Sequence, residues 1–468
     1  LRKVIIGAAS AVLMGWAAMA HAEPASIPAD QGAIVSNLQK KALAGSGAYA
    51  IVESLTTEVG PRLVGTPADK AAVDWAIAKL KELGFENVRA EPVQVEGWIR
   101  GEERAEVTAP YPQPLHVTAL GGSVPTGPDG VEAEIAWFPT FDAMLAAPEG
   151  ALKGKIAFIA QRTARTQTGA GYGYAVRMRG AGAVEAAKRG AVAVLIRSVG
   201  TDDHRFPHTG VMRYAEGVEK IPAAALSVAD AEQLERMLDR GKPVRVRLRM
   251  TPEFPGAVTS HNVIGEVVGA EAPQEIVILG AHLDSWDLGT GAVDDGAGIG
   301  IVTSAAKLIM DSGQRPRRTI RVVLFAAEEA GLIGAKAYAA AHKDEMANHV
   351  IGTEADFGAG PVYAFGTRVH PDAKPATDLI MGHLAPLGIL PSGEPASGGP
   401  DMIPLRQVGM PVVDLELDGT DYFDVHHTAD DTLARVDPAK LDQSVAAYVT
   451  FAWLAAQGRG SFGPIPAE

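Results

Sequence analysis

The chain has 468 residues, 47% of them hydrophobic and 21% charged, a globular composition that excludes collagen, a heptad rod and a disordered polymer. Acidic residues outnumber basic ones 56 to 42, which argues against nucleic acid or an anionic membrane as the main partner, since both need clustered Lys and Arg. Cysteine is absent, so there is no disulfide scaffold, no thiol nucleophile and no Cys-ligated metal, and any metal must be held by His, Asp and Glu.

Arg2 and Lys3 precede an apolar stretch, residues 4–19, and then Ala20-His21-Ala22. This is the pattern of a secretory signal peptide, residues 1–22, cleaved after Ala22, with export to the periplasm or beyond. No later stretch is apolar for long enough to span a bilayer, so no stable membrane insertion is expected. Residues 23–114 open the main domain. Periodic apolar positions predict helices at 33–41, 48–58 and 67–83, the last stopping at Gly84, followed by a strand at 88–95. A Pro-rich segment at 109–114 breaks the periodicity. From 115 to 250 the pattern is of short strands with Gly between them, at 133–138 and 155–159. A helix at 182–189 feeds a strand at 191–196, and an alternating strand at 244–250 closes the block. This reads as a β-rich domain inserted into the main one. Its Gly-rich residues 169–174 read as a flexible lid or as an exposed loop, with equal weight.

Residues 251–468 return to the main domain. Strands are expected at 275–279, 319–325, 350–355 and 412–417, with helices at 297–310, 330–341 and 438–456. Strand–loop–helix alternation implies an α/β fold with a mixed, mostly parallel sheet covered by helices. Ligands bind at the carboxyl ends of such strands.

Four of those ends carry metal-ligand residue types: His282 and Asp284, continuing to Asp294 and Asp295; Glu328 and Glu329; Glu354 and Asp356; and His426 and His427. Imidazole with carboxylate suits zinc, cobalt or manganese better than calcium. Two His and three carboxylates are too many for one open tetrahedral zinc. They suit two ions about 3.5–4 Å apart that share a carboxylate. Each element alone is weak, because a Glu pair opening a helix generally serves the helix dipole. Their conjunction at strand ends is not weak, because buried acids are costly unless paired or coordinated.

The segments Gly280-Ala281-His282-Leu283-Asp284-Ser285-Trp286-Asp287, Gly291-Ala292-Val293-Asp294-Asp295-Gly296-Ala297-Gly298, Ala327-Glu328-Glu329, Glu354-Ala355-Asp356, Gly399-Pro400-Asp401 and His426-His427-Thr428-Ala429-Asp430-Asp431-Thr432 resemble the dinuclear zinc aminopeptidases of peptidase family M28, most of all its carboxypeptidase Q branch. The likeness covers essentially the whole chain after residue 22. It implies a zinc aminopeptidase-like fold, and Lys153-Gly154-Lys155-Ile156 in the insert is similar to a protease-associated domain.

The resemblance also implies two Zn2+ per chain, with Co2+ or Mn2+ as substitutes. Asp294 bridges the ions, His282 and Asp356 complete one, and Glu329 and His427 the other. His427 is preferred to His426 because it directly precedes Thr428. Glu328 is then the general base toward a water shared by the ions, and the Asp294-Asp295 peptide is cis. Asp284, two residues past His282, suits an acceptor for the imidazole N–H. Family members bind a free α-amino group near the metals, which implies an exopeptidase acting on dipeptides or short peptides. Homodimerisation is implied by the carboxypeptidase Q branch alone.

The alternatives are a single-zinc glutaminyl cyclase-like enzyme and a non-catalytic binding protein on the same fold; metal count separates the three. Gly458-Arg459-Gly460-Ser461-Phe462-Gly463 matches a dinucleotide loop formally but has no strand before it and no helix after it. Neither His-Glu-x-x-His nor Gly-x-Ser-x-Gly occurs.

Overall fold

Strands that are apolar at nearly every position suit a sheet covered on both faces. The computed structural model describes residues 23–465, so the expected signal peptide lies outside the described residues. The main sheet comprises β1 (Glu86–Ile99), β2 (Glu253–Val267), β3 (Ala272–His282), β4 (Arg318–Phe325), β5 (His349–Glu354), β6 (Val362–Arg368), β7 (Leu390–Pro391) and β8 (Val412–Leu417). Its order is β1-β2-β4-β3-β5-β8-β6-β7. The centre, β4-β3-β5-β8, is parallel. β2 joins β4 antiparallel, β1 joins β2 antiparallel, and β6 joins β8 antiparallel. The expected mixed α/β sheet is therefore present, with its antiparallel pairs at the flanks.

Successive strand residues point to opposite faces. Val277, Leu279 and Ala281 of β3 face a core shared with the helices Gly32–Leu43, Ala48–Glu58, Ala297–Asp311 and Pro438–Gln457. Ile276 and Ile278 face a second core, closed by Ile333–Ala341 and Ile403–Gln407. Thr66 begins the helix Pro67–Glu82 where the sequence places it: its hydroxyl accepts from the Asp69 N–H, and Pro67 fills the first turn. Helix Ala48–Glu58 and strand Val412–Leu417 also lie at the expected bounds. The short strands β6 and β7 were not expected, since neither has a long periodic stretch.

A second eight-stranded sheet takes the strands Gln113–Leu115, Glu103–Ala109, Arg245–Met250, Val131–Phe138, Ile156–Ile159, Ala193–Arg197, Ala223–Leu226 and Val117–Ala119 in that order. Two of these strands begin before the boundary expected at 115: Glu103–Ala109, ahead of the Pro-rich segment, and Gln113–Leu115, at its end. They belong here because Glu103–Ala109 pairs with Arg245–Met250, far along the chain. The Gly-rich residues 169–174 are not a loop: Gly169 precedes, and residues 170–174 begin, a helix, Ala170–Lys188, much longer than the expected 182–189. Its glycines permit close approach, for a Cβ on Gly171 would sit 2.0 Å from the Ala164 carbonyl oxygen.

Among the described residues no helix is long and apolar enough to cross a membrane.

Candidate metal centre

Four parallel strands stop on one side of the main sheet, and the residues just beyond them converge. His282 is the last residue of β3. Glu328 and Glu329 follow β4, Asp356 follows β5, and His427 lies in the loop after β8. Asp294 reaches the same point from the segment Ala292–Gly296 that opens the helix Ala297–Asp311. The Asp294-Asp295 peptide is cis, as the resemblance implies. Gly298 follows because a Cβ there would meet the Ala355 carbonyl oxygen at 1.8 Å.

Asp294 is the hub. Its Oδ1 lies 3.1 Å from His282 Nε2, and its Oδ2 lies 3.2 Å from His427 Nε2. His282 Nε2 is also 3.7 Å from Asp356 Oδ1, and His427 Nε2 is 3.0 Å from Glu329 Oε2. All five expected ligand residues are thus brought together. His426 comes too, stacked on His427 with ring centroids 3.5 Å apart, but its Nε2 is 3.6 Å from Asp294 Oδ2. Asp295 is also close, yet its oxygens accept the His282 and Gly298 N–H groups at 3.0 Å.

The electrostatics call for positive charge. Burial holds the carboxyls of Glu328, Glu329, Asp295 and Asp401 above their ordinary range. Burial, with Asp356 beside it, pushes Glu354 up to about 8, and burial near Asp294 pushes Asp431 to about 7. Burial opposes a charged His427, but Glu329 and Asp294 outweigh it and raise the imidazole to about 9. Burial likewise opposes the charged His282, whose imidazole is nonetheless raised by Asp356, Asp284 and Asp294. Asp294 is driven down against its burial by the two histidines. An imidazole lone pair and a carboxylate oxygen 3 Å apart repel unless a proton or a cation lies between them. The buried atoms Asp294 Oδ2 and Glu329 Oε1 have no hydrogen-bond donor. A void of about 10 Å³ lined by Asp294, Glu329, His427 and Trp286 has room for one water-sized particle. These N and O donors fit divalent cations of the zinc type.

Asp284 differs from expectation. His282 Nδ1 lies 3.0 Å from the Asp284 main-chain oxygen, but 3.7 Å from its carboxylate. The carboxylate accepts the N–H groups of Glu328 and Glu329 at 3.0 and 3.3 Å, and so fixes the turn that carries both. The carbonyl, not the side chain, orients the imidazole, because the carboxylate is engaged by the Glu328 and Glu329 N–H groups.

Three other residues complete the site. Trp286 donates its indole N–H to Glu329 Oε2 at 2.6 Å. Asp431 accepts the N–H groups of Val293 and Asp294 at 2.6 and 3.2 Å. Arg62, fully buried, donates to the carbonyls of Leu283, Thr290 and Gly291. Trp286 and Asp431 sit inside segments that the family resemblance singles out. Arg62 carries no local signal.

The family model of peptidase family M28 matches residues 262–452, which hold every residue of this cluster from the four strand ends. Carboxypeptidase Q of Bos taurus is 36% identical over 422 residues, covering 90% of this chain and 88% of that protein. The crystal structure of a peptidase M28 precursor from Shewanella amazonensis SB2B is 50% identical, covers 94% of this chain and 99% of the other, and superposes with a TM-score of 0.91. A zinc aminopeptidase from Bacillus subtilis shares the fold at a TM-score of 0.62, with 19% identity over 86% of this chain and 94% of its own. Fold and site define a metallo-exopeptidase. The chain belongs to peptidase family M28, and it is carboxypeptidase Q-like.

Proposed function

We propose that this enzyme hydrolyses dipeptides or short peptides at a terminal bond, using two divalent cations, zinc by preference, with Glu328 as the general base. The observation that carries the reading is Asp294, whose two oxygens face two different histidines. A carboxylate so placed would hold a pair of ions, one with each histidine. His282 and Asp356 complete one set of donors, and Glu329 and His427 the other. The raised carboxyls around Asp294 show that the buried Arg62 does not by itself offset the crowd of acids, which favours further positive charge at the site.

When bound, the ions acidify water and polarise the scissile carbonyl. The chain's own residues do the rest. Glu328 is half-buried, next to Glu329 in a turn that Asp284 holds by both N–H groups. Its raised pKa suits a group that takes a proton from the attacking water and returns it to the leaving amine. Glu329 is locked by Trp286, so the spacing between donor and base is set by the backbone. The name carboxypeptidase Q, borne by the curated relatives, supports terminal cleavage of peptides. We read the second sheet, with its Lys153-Gly154-Lys155-Ile156 turn, as a protease-associated-like insert in the peptidase domain.

The test is Glu328→Gln, assayed on dipeptides and aminoacyl reporters beside metal analysis. Two ions per chain should remain while turnover falls about 10²–10⁴-fold, and chelation should abolish parent activity. Retained turnover at matched metal content removes Glu328 from the mechanism. A single ion in the parent returns the glutaminyl cyclase-like reading.

A further inference from the structure

The loop after β8 is held from outside the sheet that bears it. Arg165 Nη2 donates to Asp424 Oδ1 at 2.6 Å, and Nη1 to the Thr420 carbonyl at 3.0 Å. Thr201 donates its N–H to the Phe423 carbonyl at 3.0 Å and its hydroxyl to Asp424 Oδ1 at 2.7 Å. The Tyr172 ring stacks on Phe423 at 4.5 Å and meets the edge of His426 at 5.1 Å. Arg165, Tyr172 and Thr201 all lie in segments between strands of the second sheet.

The grip is tightest at His427. The Thr209 N–H donates to the His427 carbonyl at 3.0 Å, and the Thr209 carbonyl lies 3.2 Å from His427 Nδ1. His427 has φ of 60°, a left-handed conformation that a non-glycine residue keeps only where its surroundings impose it. Arg179, 7% exposed, places Nη1 3.4 Å from both the Thr209 carbonyl and His427 Nδ1. It is confined there: a Cβ on Gly210 would fall 2.3 Å from that same nitrogen.

The donor inventory decides how these groups share atoms. Arg179 has donors only, so it cannot receive a proton from Nδ1. The Thr209 carbonyl can accept from both. A hydrogen on Nδ1 that bonds to this carbonyl leaves the lone pair on Nε2, which faces Asp294 and Glu329. A metal ligand's tautomer and ring orientation are ordinarily set by such a partner on its second nitrogen.

We propose that the second-sheet unit is a positioning device for the metal site: Thr209 selects the metal-binding tautomer of His427, Arg179 steadies the Thr209 carbonyl, and Arg165 with Thr201 pins the loop. The inference rests on His427 being a ligand, as proposed above. It makes one ion, the one at Glu329 and His427, depend on contact between the two sheets' units. Among the described residues no hydrogen bond runs from the second-sheet unit to His282 or Asp356, which keep their partners within the main sheet's own loops.

The experiment is zinc titration of the metal-free full chain against a chromophoric chelator, for the parent, Arg179→Ala, the double variant Arg165→Gln/Thr201→Val, and His427→Ala. Each positioning variant should bind one ion at parental affinity and the other about 10–100-fold more weakly, the range for loss of a ligand's outer partner. Arg179→Lys should recover part of the loss. Adding Arg165→Gln/Thr201→Val to His427→Ala should change nothing further, since both act on the same ion. If His427→Ala binds both ions as the parent does, the ligand assignment itself is wrong. If His427→Ala loses one ion while Arg179→Ala and the double variant bind both at parental affinity, the positioning proposal alone fails. It fails equally if those variants weaken both ions alike, which would mark a general structural role.

Discussion

Arg62 offers three of its donors to the carbonyls of Leu283, Thr290 and Gly291, which bracket the loop between β3 and Asp294. Burial lowers its pKa from the ordinary value, and the charges of Asp431, Asp284, Asp295 and Asp294 oppose that loss. It is thus a permanent cation beneath a crowd of carboxyls. Arg62→Met should lower the unfolding free energy by about 3–5 kcal/mol, the cost of leaving buried partners uncompensated. Urea unfolding of the metal-free protein measures it, and a loss below about 1 kcal/mol would show that the carboxyls need no such cation. Arg62→Lys should not restore the parent value, because an ammonium cannot span three carbonyls with a planar fork. The contrast with Asp284 is instructive at this scale. Spacing alone brings Asp284 to His282, but only the tertiary placement of the Glu328–Glu329 turn decides that its carbonyl meets the imidazole and its carboxylate meets Glu328 and Glu329.

Among the elements, the helix Ala170–Lys188 was legible only in part. Gly171, Gly173, Gly180 and Gly182 depress its propensity, so local pattern finds only its second half. Packing restores the first half, where Tyr172 stacks on Phe423. Two of its glycines should respond in opposite ways. At Gly171 a Cβ meets the Ala164 backbone at 2.0 Å, so Gly171→Ala should cost about 1–3 kcal/mol by overpacking. At Gly173 there is nothing within 4 Å, so Gly173→Ala should gain up to about 1 kcal/mol of helix propensity. Denaturation midpoints decide between them; equal shifts would mean that this helix start is not packed as described. Helices Ala48–Glu58 and Pro438–Gln457 were legible because their periodicity is local and agrees with their packing.

For the whole molecule, acid sensitivity has a source outside the metal centre. His349 begins β5, fully enclosed, with Tyr338 OH 2.8 Å from Nε2. Burial, with the Arg321 guanidinium near, pushes its imidazole down to about 4. The unfolded chain binds a proton there near pH 6.5 and the folded chain does not. Stability is therefore fully present above pH 6.5 and is lost as pH falls toward 4, by about 1.4 kcal/mol per pH unit and about 3 kcal/mol in all. His342, raised by its hydrogen bonds to Glu91 and Glu345, acts in the opposite sense above pH 6.5. In His349→Gln the fall in melting temperature between pH 6.5 and 4 should be shallower than in the parent. An unchanged slope would take His349 out of the acid response.

The sequence by itself determined the α/β alternation, the family and the convergence of His282, Asp294, Glu328, Glu329, Asp356 and His427, because strand period and strand-end position are local properties and parallel strands bring their ends to one side. Tertiary structure alone decided that Glu103–Ala109 joins the second sheet, that Arg62 lies beneath the carboxyls, and that Thr209 faces His427. Each of those is a contact between residues far apart in the chain, selected by pairing and burial, for which no nearby pattern exists to be read.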